Sequence, residues 1–274
     1  MATAEQLTAH YRHGRLLEAV LDGLRAAGKN PDRLAPADMM GTDEFHIGGA
    51  EATKELAAQL GLATGMRVLD IGSGLGGPAR QMAASGAHVT GVDLSEEYVA
   101  VAAELSRRMG LAERVAFRQG DAAAMDLPQA GFDGATLLHV GMNIADKPAL
   151  FRAVHRAVKP GGFFAVYDVM QVGAGELAFP VPWSSAPETS FVEPPSAYRA
   201  ALEQAGFRVA GERERGEFAR AFFAAMRARM AQAGGPPPVG LHLVMGATAP
   251  QKVANMVRLL EEGVIAPVEI IARR

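Results

Sequence analysis

The sequence predicts an α/β fold with a doubly wound, mostly parallel sheet, and three observations support this prediction. From residue 66 to residue 169, short apolar runs alternate with helical segments, the order expected of parallel strands joined by right-handed helical crossovers. A glycine-rich loop lies where the first strand gives way to a helix, and an aspartate ends the second strand. The chain of 274 residues is 49% apolar, which allows a sizeable buried core.

The composition excludes several functional classes. With 27 Lys and Arg against 30 Asp and Glu, the net charge of −3 provides no overall positive field for a nucleic acid or an anionic membrane. The absence of cysteine excludes disulfides, thiolate catalysis and cysteine-bound metals. No apolar run has the length of a membrane span, and the first residues lack the apolar core of a secretory signal. We therefore expect a cytoplasmic protein without a membrane span, a nucleic-acid partner or a metal site.

The elements before the last third are regular. A helix over residues 4–27 carries an apolar stripe at helical spacing and ends at Gly28, and a second helix covers residues 50–61. Pro78 occupies the first turn of the next helix, and Ser95 caps the helix after it. The predicted strands are 66–71, 87–93, 115–120, 132–138 and 163–169, and the helices among them are 78–85, 95–109 and 146–158.

The last third breaks this alternation. Five prolines between residues 171 and 195 indicate a long, partly rigid loop, and a loop of that length in a compact domain is usually functional or mobile. A second break, at residues 234–238, consists of glycine and proline. Around these breaks we predict helices over 196–205, 217–232 and 249–262 and strands over 207–212 and 268–272.

The loop Gly72–Gly77, after the first predicted strand, is suited to bind a ligand. Its glycines permit positive φ angles and close approach to the backbone, and in an open parallel sheet ligands lie beyond the carboxyl ends of the strands. Asp93 ends the next strand about twenty residues on, where a carboxylate can accept both hydroxyls of a ribose. Gly72, Gly74 and Gly77 match the dinucleotide pattern G-x-G-x-x-G, so a nicotinamide cofactor is one candidate.

S-adenosylmethionine (SAM) is the second candidate, and Asp70 favours it. This carboxylate lies two residues before the glycines, where it suits a ligand with an ammonium group and a sulfonium and repels a pyrophosphate. Asp121, in the segment Gln119-Gly120-Asp121-Ala122, ends the third strand and places a second acid near an adenine edge. A turn, Pro160-Gly161-Gly162, precedes the fifth strand.

Together, the glycine loop, Asp93, Asp121 and the Pro-Gly-Gly turn resemble class I SAM-dependent methyltransferases over residues 45–212. Residues 45–53 and 138–144 look like a small-molecule branch of that family. This branch holds sarcosine/dimethylglycine and phosphoethanolamine N-methyltransferases and the quinone and tocopherol C-methyltransferases. The resemblance implies a Rossmann-like sheet of seven strands, the last antiparallel. It also implies four regions: a helical lid with the loop after it (1–49), a SAM-binding core (50–216), a helical insertion (217–263) and the last strand (264–274).

The resemblance implies SAM as methyl donor, S-adenosylhomocysteine (SAH) as product, and a set of residues that bind them. Asp70 and the loop amides would hold the methionine part, Asp93 the ribose, and Asp121 with Ala122 the adenine. His46 would help to fix the loop before the first strand over the donor. The residues expected to bind the donor are Asp70, Gly72, Ser73, Gly74, Gly76, Asp93, Leu94, Asp121, Ala122, Leu138 and His46.

His139 is the expected catalytic residue. It follows the fourth strand, near the expected place of the methyl group, and an imidazole that titrates near neutral pH can take a proton from the acceptor. A donor-side contact, or a buried, hydrogen-bonded histidine, is the alternative. Asn143 stands where several relatives carry histidine and can only orient the acceptor. The residues expected to contact the acceptor are Tyr11 on the lid, Met142, Asn143, and Phe179 and Trp183 of the proline-rich loop.

The sequence thus predicts a SAM-dependent methyltransferase with a small-molecule acceptor, an amine nitrogen ahead of an oxygen or a carbon atom. Trp183 would roof the acceptor, either by cation–π attraction to a methylammonium group or by stacking on an aromatic one. Two alternatives remain open: a nicotinamide-dependent oxidoreductase, and a SAM-binding protein without turnover. The helix over residues 217–232 favours packing in the core or in a homodimer over any cofactor contact.

Overall fold

The computed structural model describes residues 14–39, 41–235 and 237–274, which form a seven-stranded sheet with helices on both faces. None of the helices within these ranges is both long and apolar enough to cross a bilayer. The strands are β1 (Arg67–Ile71), β2 (His88–Asp93), β3 (Val115–Gln119), β4 (Phe132–Leu138), β5 (Val158–Gln171), β6 (Arg208–Glu214) and β7 (Ile265–Arg273). The α-helices are α1 (Leu16–Ala26), α2 (Gly49–Leu60), α3 (Gly77–Ala83), α4 (Glu96–Arg108), α5 (Lys147–Ala157), α6 (Pro195–Gln204), α7 (Gly216–Ala233), α8 (His242–Met245) and α9 (Ala249–Glu261).

The sheet has the strand order β3-β2-β1-β4-β5-β7-β6. Strands β1 to β5 pair in parallel, whereas β7 lies antiparallel between β5 and β6. The chain runs outward from β1 to β3 and then returns to the other side of β1, so the strand order reverses between β1 and β4. The crevice at such a reversal is where open α/β sheets bind ligands. The predicted fold class is confirmed, including the antiparallel last strand.

The two faces of the sheet bury different helices because strand residues alternate in direction. Leu69 of β1 packs in a cluster with α5 and α6, and its neighbour Val68 packs in a second cluster with α2 and α3. Val166 and Ala165 of β5 divide between the two clusters in the same way. With both faces buried, the carboxyl ends of the central strands form a rigid edge on which a site can be built.

The lid helix α1 and the insertion between β6 and β7 meet in a third cluster. The buried stripe of α1, which includes Leu16, Val20 and Leu24, packs in this cluster with Leu75 of the glycine loop and Val244 of α8. The insertion therefore reaches the lid and the glycine loop at once. This contact brings residues from the last third of the chain to the carboxyl edge of the sheet.

The start of the lid helix differs from its prediction. The helix was expected over residues 4–27, but its described part begins at Leu16. Gly14 adopts a φ of +75°, which is incompatible with a continuing helix, and its N–H donates to a carboxylate oxygen of Glu97 at 3.0 Å. The other oxygen of Glu97 accepts the N–H of Leu16 at 3.1 Å, so this carboxylate of α4 holds the start of α1.

Two strands of the second half are longer than predicted. Expected over residues 163–169, β5 runs from Val158 to Gln171, and the turn at residues 160–162 is an irregularity within it, where the pairing with β4 shifts register. Expected over 268–272, β7 covers Ile265–Arg273 because it pairs along most of β5. Tertiary pairing, which no local pattern encodes, sets these ends.

Candidate active site

A cavity opens at the carboxyl ends of β1, β2, β3 and β4, where the strand order reverses. Its walls come from the glycine loop, the strand ends, the segment before α2, the proline-rich loop and α8. Acidic and small residues line the part near β2 and β3, and mostly large apolar residues line the part near β4. We call these parts the β2–β3 end and the β4 end of the cavity.

The glycine loop presents bare backbone at the centre of the cavity. Gly72 and Gly74 line it with φ angles of +68° and +52°. The N–H of Gly72 donates to the carbonyl of Val92 at 2.8 Å and ties the loop to β2. A Cβ atom on Gly72 would clash with Val140, and one on Gly74 would come within 3.2 Å of Phe45. The position of Gly72 therefore requires glycine for the backbone conformation and for the space, and that of Gly74 requires it for the backbone conformation.

Asp93 lies between the glycine loop and the start of α4. Its Oδ2 accepts the N–H of Gly74 at 2.9 Å, and its Oδ1 accepts the N–H of Ser95 at 2.9 Å. Burial raises the pKa of Asp93, and these backbone hydrogen bonds oppose the rise. Each carboxylate oxygen can accept a further hydrogen bond, so Asp93 can fix the loop and still bind two vicinal hydroxyls.

Asp70 lies behind the glycine loop rather than in the cavity wall. Its Oδ1 accepts the hydroxyl of Thr136 at 2.8 Å, and burial raises its pKa to about 7. Within the described ranges, its Oδ2 and the hydroxyl of Ser73 are buried without a hydrogen-bond partner. Ser73 lines the cavity. Unpaired buried polar atoms are costly, so they fit a loop that is completed by a polar ligand such as SAM.

The β2–β3 end combines apolar walls with one exposed acid. Leu94, Ala122 and Ala123 line it, and Asp121 lies at its rim. Asp121 accepts the N–H of Ala123 at 2.9 Å through Oδ1, which orients the carboxylate at the end of β3. A flat apolar ring with an exocyclic amino group, such as adenine, fits these walls and this acceptor.

Residues 42–48, which we call the strap, lie against the glycine loop and are held by buried polar contacts. Arg80 Nη2 forms an ion pair with Asp43 Oδ2 at 2.6 Å. Burial raises the pKa of the Asp43 carboxyl, and the Arg80 guanidinium opposes the rise. Glu44 accepts a hydrogen bond from the hydroxyl of Thr53 at 2.9 Å. Burial raises the pKa of Glu44 to about 8, and the nearby Asp43 carboxylate adds to this rise. The strap thus carries a buried carboxyl group whose pKa lies well above its usual range.

Ile47 of the strap is held from both sides of its backbone. Its N–H donates to Nε2 of His139 at 3.3 Å, and its carbonyl accepts the hydroxyl of Tyr167 at 3.0 Å. His139 Nδ1 lies 3.1 Å from the carbonyl of Tyr167, which assigns the ring proton to Nδ1. Burial, with His46 nearby adding to the effect, lowers the pKa of His139 to about 3.

This geometry does not support the expected role of His139 as a base. A base needs a free lone pair that reaches the acceptor, but Nε2 accepts the N–H of Ile47 and the ring is neutral. These contacts favour the alternative that the sequence left open, a buried, hydrogen-bonded histidine, which here anchors the strap. His46 lines the cavity from within the strap. Its Nε2 lies 3.0 Å from the carbonyl of Gly49, and burial lowers its pKa to about 4.

At the β4 end, the turn Gly141–Asn143 faces the proline-rich loop. Asn143 Nδ2 donates to the backbone carbonyl of Trp183 at 2.9 Å, and the indole N–H of Trp183 donates to Ser190 Oγ at 3.0 Å. Both Asn143 and Trp183 line the cavity, and Trp183 is otherwise buried. Asn143 therefore holds the proline-rich loop in place, and Trp183 forms part of the wall.

The structure brings most of the predicted site residues to this one cavity. Asp70 and Gly76 do not line it, since Asp70 lies behind the loop and the N–H of Gly76 donates to Ser73 within the loop. Phe179 packs against the cluster that holds α7 and α9, and Tyr11 lies outside the described residues. The predicted residues that line the cavity are His46, Gly72, Ser73, Gly74, Asp93, Leu94, Asp121, Ala122, Leu138, His139, Met142, Asn143 and Trp183.

Sequence reasoning missed Asp43, Tyr98, Val244 and Met245, which also line the cavity. Arg80 gave one unused signal, because a basic residue on the short α3 helix, next to the glycine loop, can indicate a buried ion pair. The sequence contains no signal for Val244 and Met245, because the lid and the insertion come together only in the folded chain.

The family model described as a methyltransferase domain matches residues 69–166, from β1 into β5. Sterol 24-C-methyltransferase ERG6B of Gibberella zeae is 37% identical over 114 residues, which span 41% of this chain and 30% of that protein. Phosphoethanolamine N-methyltransferase 1 of Arabidopsis thaliana is 38% identical over 122 residues, which span 44% of this chain and 24% of that protein. The match thus covers less than half the length of each of these relatives.

Solved structures agree with the fold over the whole chain. The crystal structure of the [4+2]-cyclase SpnF has a TM-score of 0.70 and 24% identity, and the alignment covers 100% of this chain and 97% of that one. Phosphoethanolamine N-methyltransferase 2 of Haemonchus contortus, in complex with SAM, has a TM-score of 0.73 and 20% identity, with coverage of 100% and 60%. At these identities the likeness shows a common fold.

The family match decides between the two cofactor classes that the sequence left open. The residues that match the methyltransferase domain include the glycine loop, Asp93 and Asp121. The curated relatives above are methyltransferases too. The predicted resemblance to a methyltransferase domain, and with it SAM rather than a nicotinamide cofactor, is thereby confirmed. Residues 69–166 of the chain thus match a methyltransferase domain.

Proposed function

We propose that this protein transfers a methyl group from SAM to a small molecule bound at the β4 end of the cavity. The observation that supports this most directly is the continuity of the cavity, which runs from Asp93 and the glycine loop to the wall formed by Met142 and Trp183. SAM supplies an activated methyl group. The acceptor's nucleophile bonds to the methyl carbon while the carbon–sulfur bond breaks and its electron pair stays on sulfur, which leaves SAH.

The protein's part in this reaction is to bind, to align and to exclude water. In the proposal, Asp93 binds the ribose hydroxyls, Asp121 meets the adenine, and the bare loop at Gly72 and Gly74 accommodates the methionine part. The free Oδ2 of Asp70 behind the loop favours the ammonium group of the donor. Alignment alone can supply several kcal/mol, within an upper range of about 7–11 kcal/mol, so the reaction does not require a strong base.

An amine acceptor, which the sequence placed first, finds little support in the site. An amine is protonated at neutral pH and must lose its proton before it can attack. His139 has no free lone pair to take that proton. We therefore place ahead of it an acceptor whose nucleophilic atom already carries its electron pair, at carbon or at an uncharged heteroatom. Such an acceptor takes over the positive charge of the sulfonium on methylation and releases its proton to solvent after the transfer, so no base is needed before the attack.

The test is incubation of the protein with SAM labelled in its methyl group and a fractionated metabolite extract. We expect label in a small-molecule product together with stoichiometric SAH, and loss of both with Asp93→Asn. Label that stays in SAM with every fraction would contradict methyl transfer.

A second candidate is a reaction in the same cavity that leaves the donor's methyl group in place. One observation favours it: among the structural neighbours that align over nearly their whole length, one is described as a [4+2]-cyclase, although others are described as geranyl diphosphate methyltransferases. The same incubation separates the two, because such a reaction converts a metabolite without forming SAH.

A further inference from the structure

The β4 end of the cavity carries no cationic side chain within the described part of the chain. Its lining is aliphatic, aromatic or thioether apart from Asn143 and the two histidines His46 and His139, whose pKa values burial lowers to about 4 and about 3. Phe45 and Met245 close it from the strap and from α8. None of the described residues that line the cavity, at either end, is lysine or arginine. An acceptor bound here therefore meets apolar surface, one amide and two imidazoles.

Four buried cations lie near the cavity among the described residues, and all are engaged: Arg215 pairs with Glu55 at 2.6 Å, Lys252 donates to the carbonyl of Met245 at 3.4 Å, and the other two are Arg80 and Lys147. Arg80 pairs with Asp43 at 2.6 Å. Lys147 lies beside the turn that forms the wall, where its ammonium group donates to the carbonyl of Phe191 at 2.7 Å and pairs with Glu193 at 3.0 Å. Arg80 cannot turn to an anionic ligand without breaking a buried ion pair, which is strongly unfavourable, and Lys147 would have to give up two hydrogen bonds to backbone carbonyls.

The charges that do line the cavity are acidic. Asp93 and Asp121 lie at the β2–β3 end, and Asp43 is the only acid of the strap in the lining among the described residues. A phosphate or carboxylate on the acceptor would lose its hydration in an apolar space and would face these carboxylates. A permanent ammonium group would find no free carboxylate at the β4 end, since Asp43 is paired with Arg80.

From this charge distribution we infer that the acceptor is a neutral molecule with an apolar skeleton, without a phosphate, carboxylate or ammonium group. The inference depends on the proposed function only where it calls the bound molecule an acceptor. It is a statement about binding and can be tested without turnover. It also separates this chain from the relatives named for phosphoethanolamine, whose named substrate carries both a phosphate and an amine.

Trp183 provides a direct probe, because it is the only tryptophan of the chain and lines the β4 end. We would titrate the full chain, loaded with SAH, with matched pairs that share a skeleton: geraniol against geranyl phosphate, and decan-1-ol against decyl phosphate. Each alcohol is expected to change the Trp183 emission with an affinity at least tenfold higher than that of its phosphate. Equal or tighter binding of the phosphates, or no response to either alcohol up to its solubility limit, would overturn the inference.

A gain-of-charge variant tests the same point from the other side. Ile144 lines the β4 end and is partly exposed, so Ile144→Arg adds a cation there, and Ile144→Gln is the matched neutral control. The arginine variant alone is expected to bind the phosphates at least tenfold more tightly than the parent chain. If it does not, then the missing cation is not what excludes phosphate, and the inference fails. SAH binding, measured by calorimetry, reports separately on the donor site and hence on the proposed function.

Discussion

His139 accepts a hydrogen bond from the backbone N–H of Ile47 at 3.3 Å. The side chain expected to move a proton therefore holds the strap over the glycine loop. Tyr167 completes the arrangement, because its hydroxyl donates to the carbonyl of the same residue. His139, after β4, and Tyr167, within β5, thus hold the two peptide groups on either side of Ile47, which favours a role in ordering the strap over a role in proton transfer.

Replacing His139 tests this assignment. His139 has a φ of +54°, and asparagine tolerates that region, so His139→Asn removes the ring and keeps the backbone. We expect SAH to bind about 2- to 10-fold more weakly, since one hydrogen bond contributes about 0.5–1.5 kcal/mol. Because the pKa of His139 is lowered to about 3, the shape of the rate profile from pH 6 to 9 is expected to stay unchanged.

Tyr167→Phe is the matched control for that variant, because it removes the other hydrogen bond to Ile47 and keeps the ring. It is expected to weaken SAH binding to a similar extent. If His139→Asn abolished turnover with SAH affinity intact, while Tyr167→Phe had no effect, His139 would be a base after all.

Asp43→Asn tests the ion pair beneath the strap. It leaves the buried Arg80 guanidinium without its counter-charge, so we expect the free energy of unfolding to fall by about 3–5 kcal/mol. Asp22→Asn breaks an exposed pair with Arg25 and is expected to cost less than about 1 kcal/mol. Urea denaturation measures both, and equal losses would show that the Asp43 pair is not buried in solution.

Glu44 makes stability depend on pH in a definite direction. Its pKa is raised by burial from 4.5 in the unfolded chain to about 8. The folded state therefore keeps a proton that the unfolded chain releases, and Glu44's contribution to the free energy of unfolding falls as the pH rises through this interval. We expect Glu44→Gln, which retains an acceptor for Thr53, to flatten the decline between pH 5 and pH 9. Glu51→Gln, at an exposed carboxylate, should leave the slope as it is, and an unchanged slope for Glu44→Gln would contradict a buried, neutral carboxyl.

Gly141→Ala tests how the wall of the β4 end is supported. A Cβ atom at Gly141 would clash with Asp168 Oδ2 and come within 2.7 Å of the Tyr198 hydroxyl, and these two groups hydrogen bond to each other at 2.7 Å. We expect the turn at residues 141–143 to move, so that alcohol binding reported by Trp183 weakens about tenfold or more while SAH affinity stays within about twofold. Gly211→Ala, where the added atom meets nothing within 4 Å, is the control. A parallel loss of SAH affinity would show that the two ends of the cavity are not independent.

The sequence correctly places the glycine loop and Asp93 at one cavity because their determinants are local. The positive φ angles of Gly72 and Gly74, and an acid at the end of β2, follow from the order of residues along one strand–loop–helix unit and the strand beside it. The conformation of the strap cannot be predicted from the local order of residues. Its ion pair joins Asp43 to Arg80, and its backbone is held by side chains of β4 and β5.

The role of His139 shows the same limit. Its position at the end of β4 is correctly predicted, but its chemistry depends on which groups occupy its two nitrogens, and both partners belong to other elements. Burial then moves its pKa away from the value on which a base role depends. Position along the chain therefore identifies the cavity residues more reliably than it identifies what each of them does.

The central claim is that Asp93 and the glycine loop bind the adenosyl donor, and calorimetric titration of SAH into the full chain and into Asp93→Asn tests it most directly. We expect micromolar binding to the parent chain and a loss of about 10- to 100-fold in the variant, since hydrogen bonds to a charged group contribute about 1.5–3 kcal/mol. No heat with the parent chain, or equal affinity in the variant, would contradict the account.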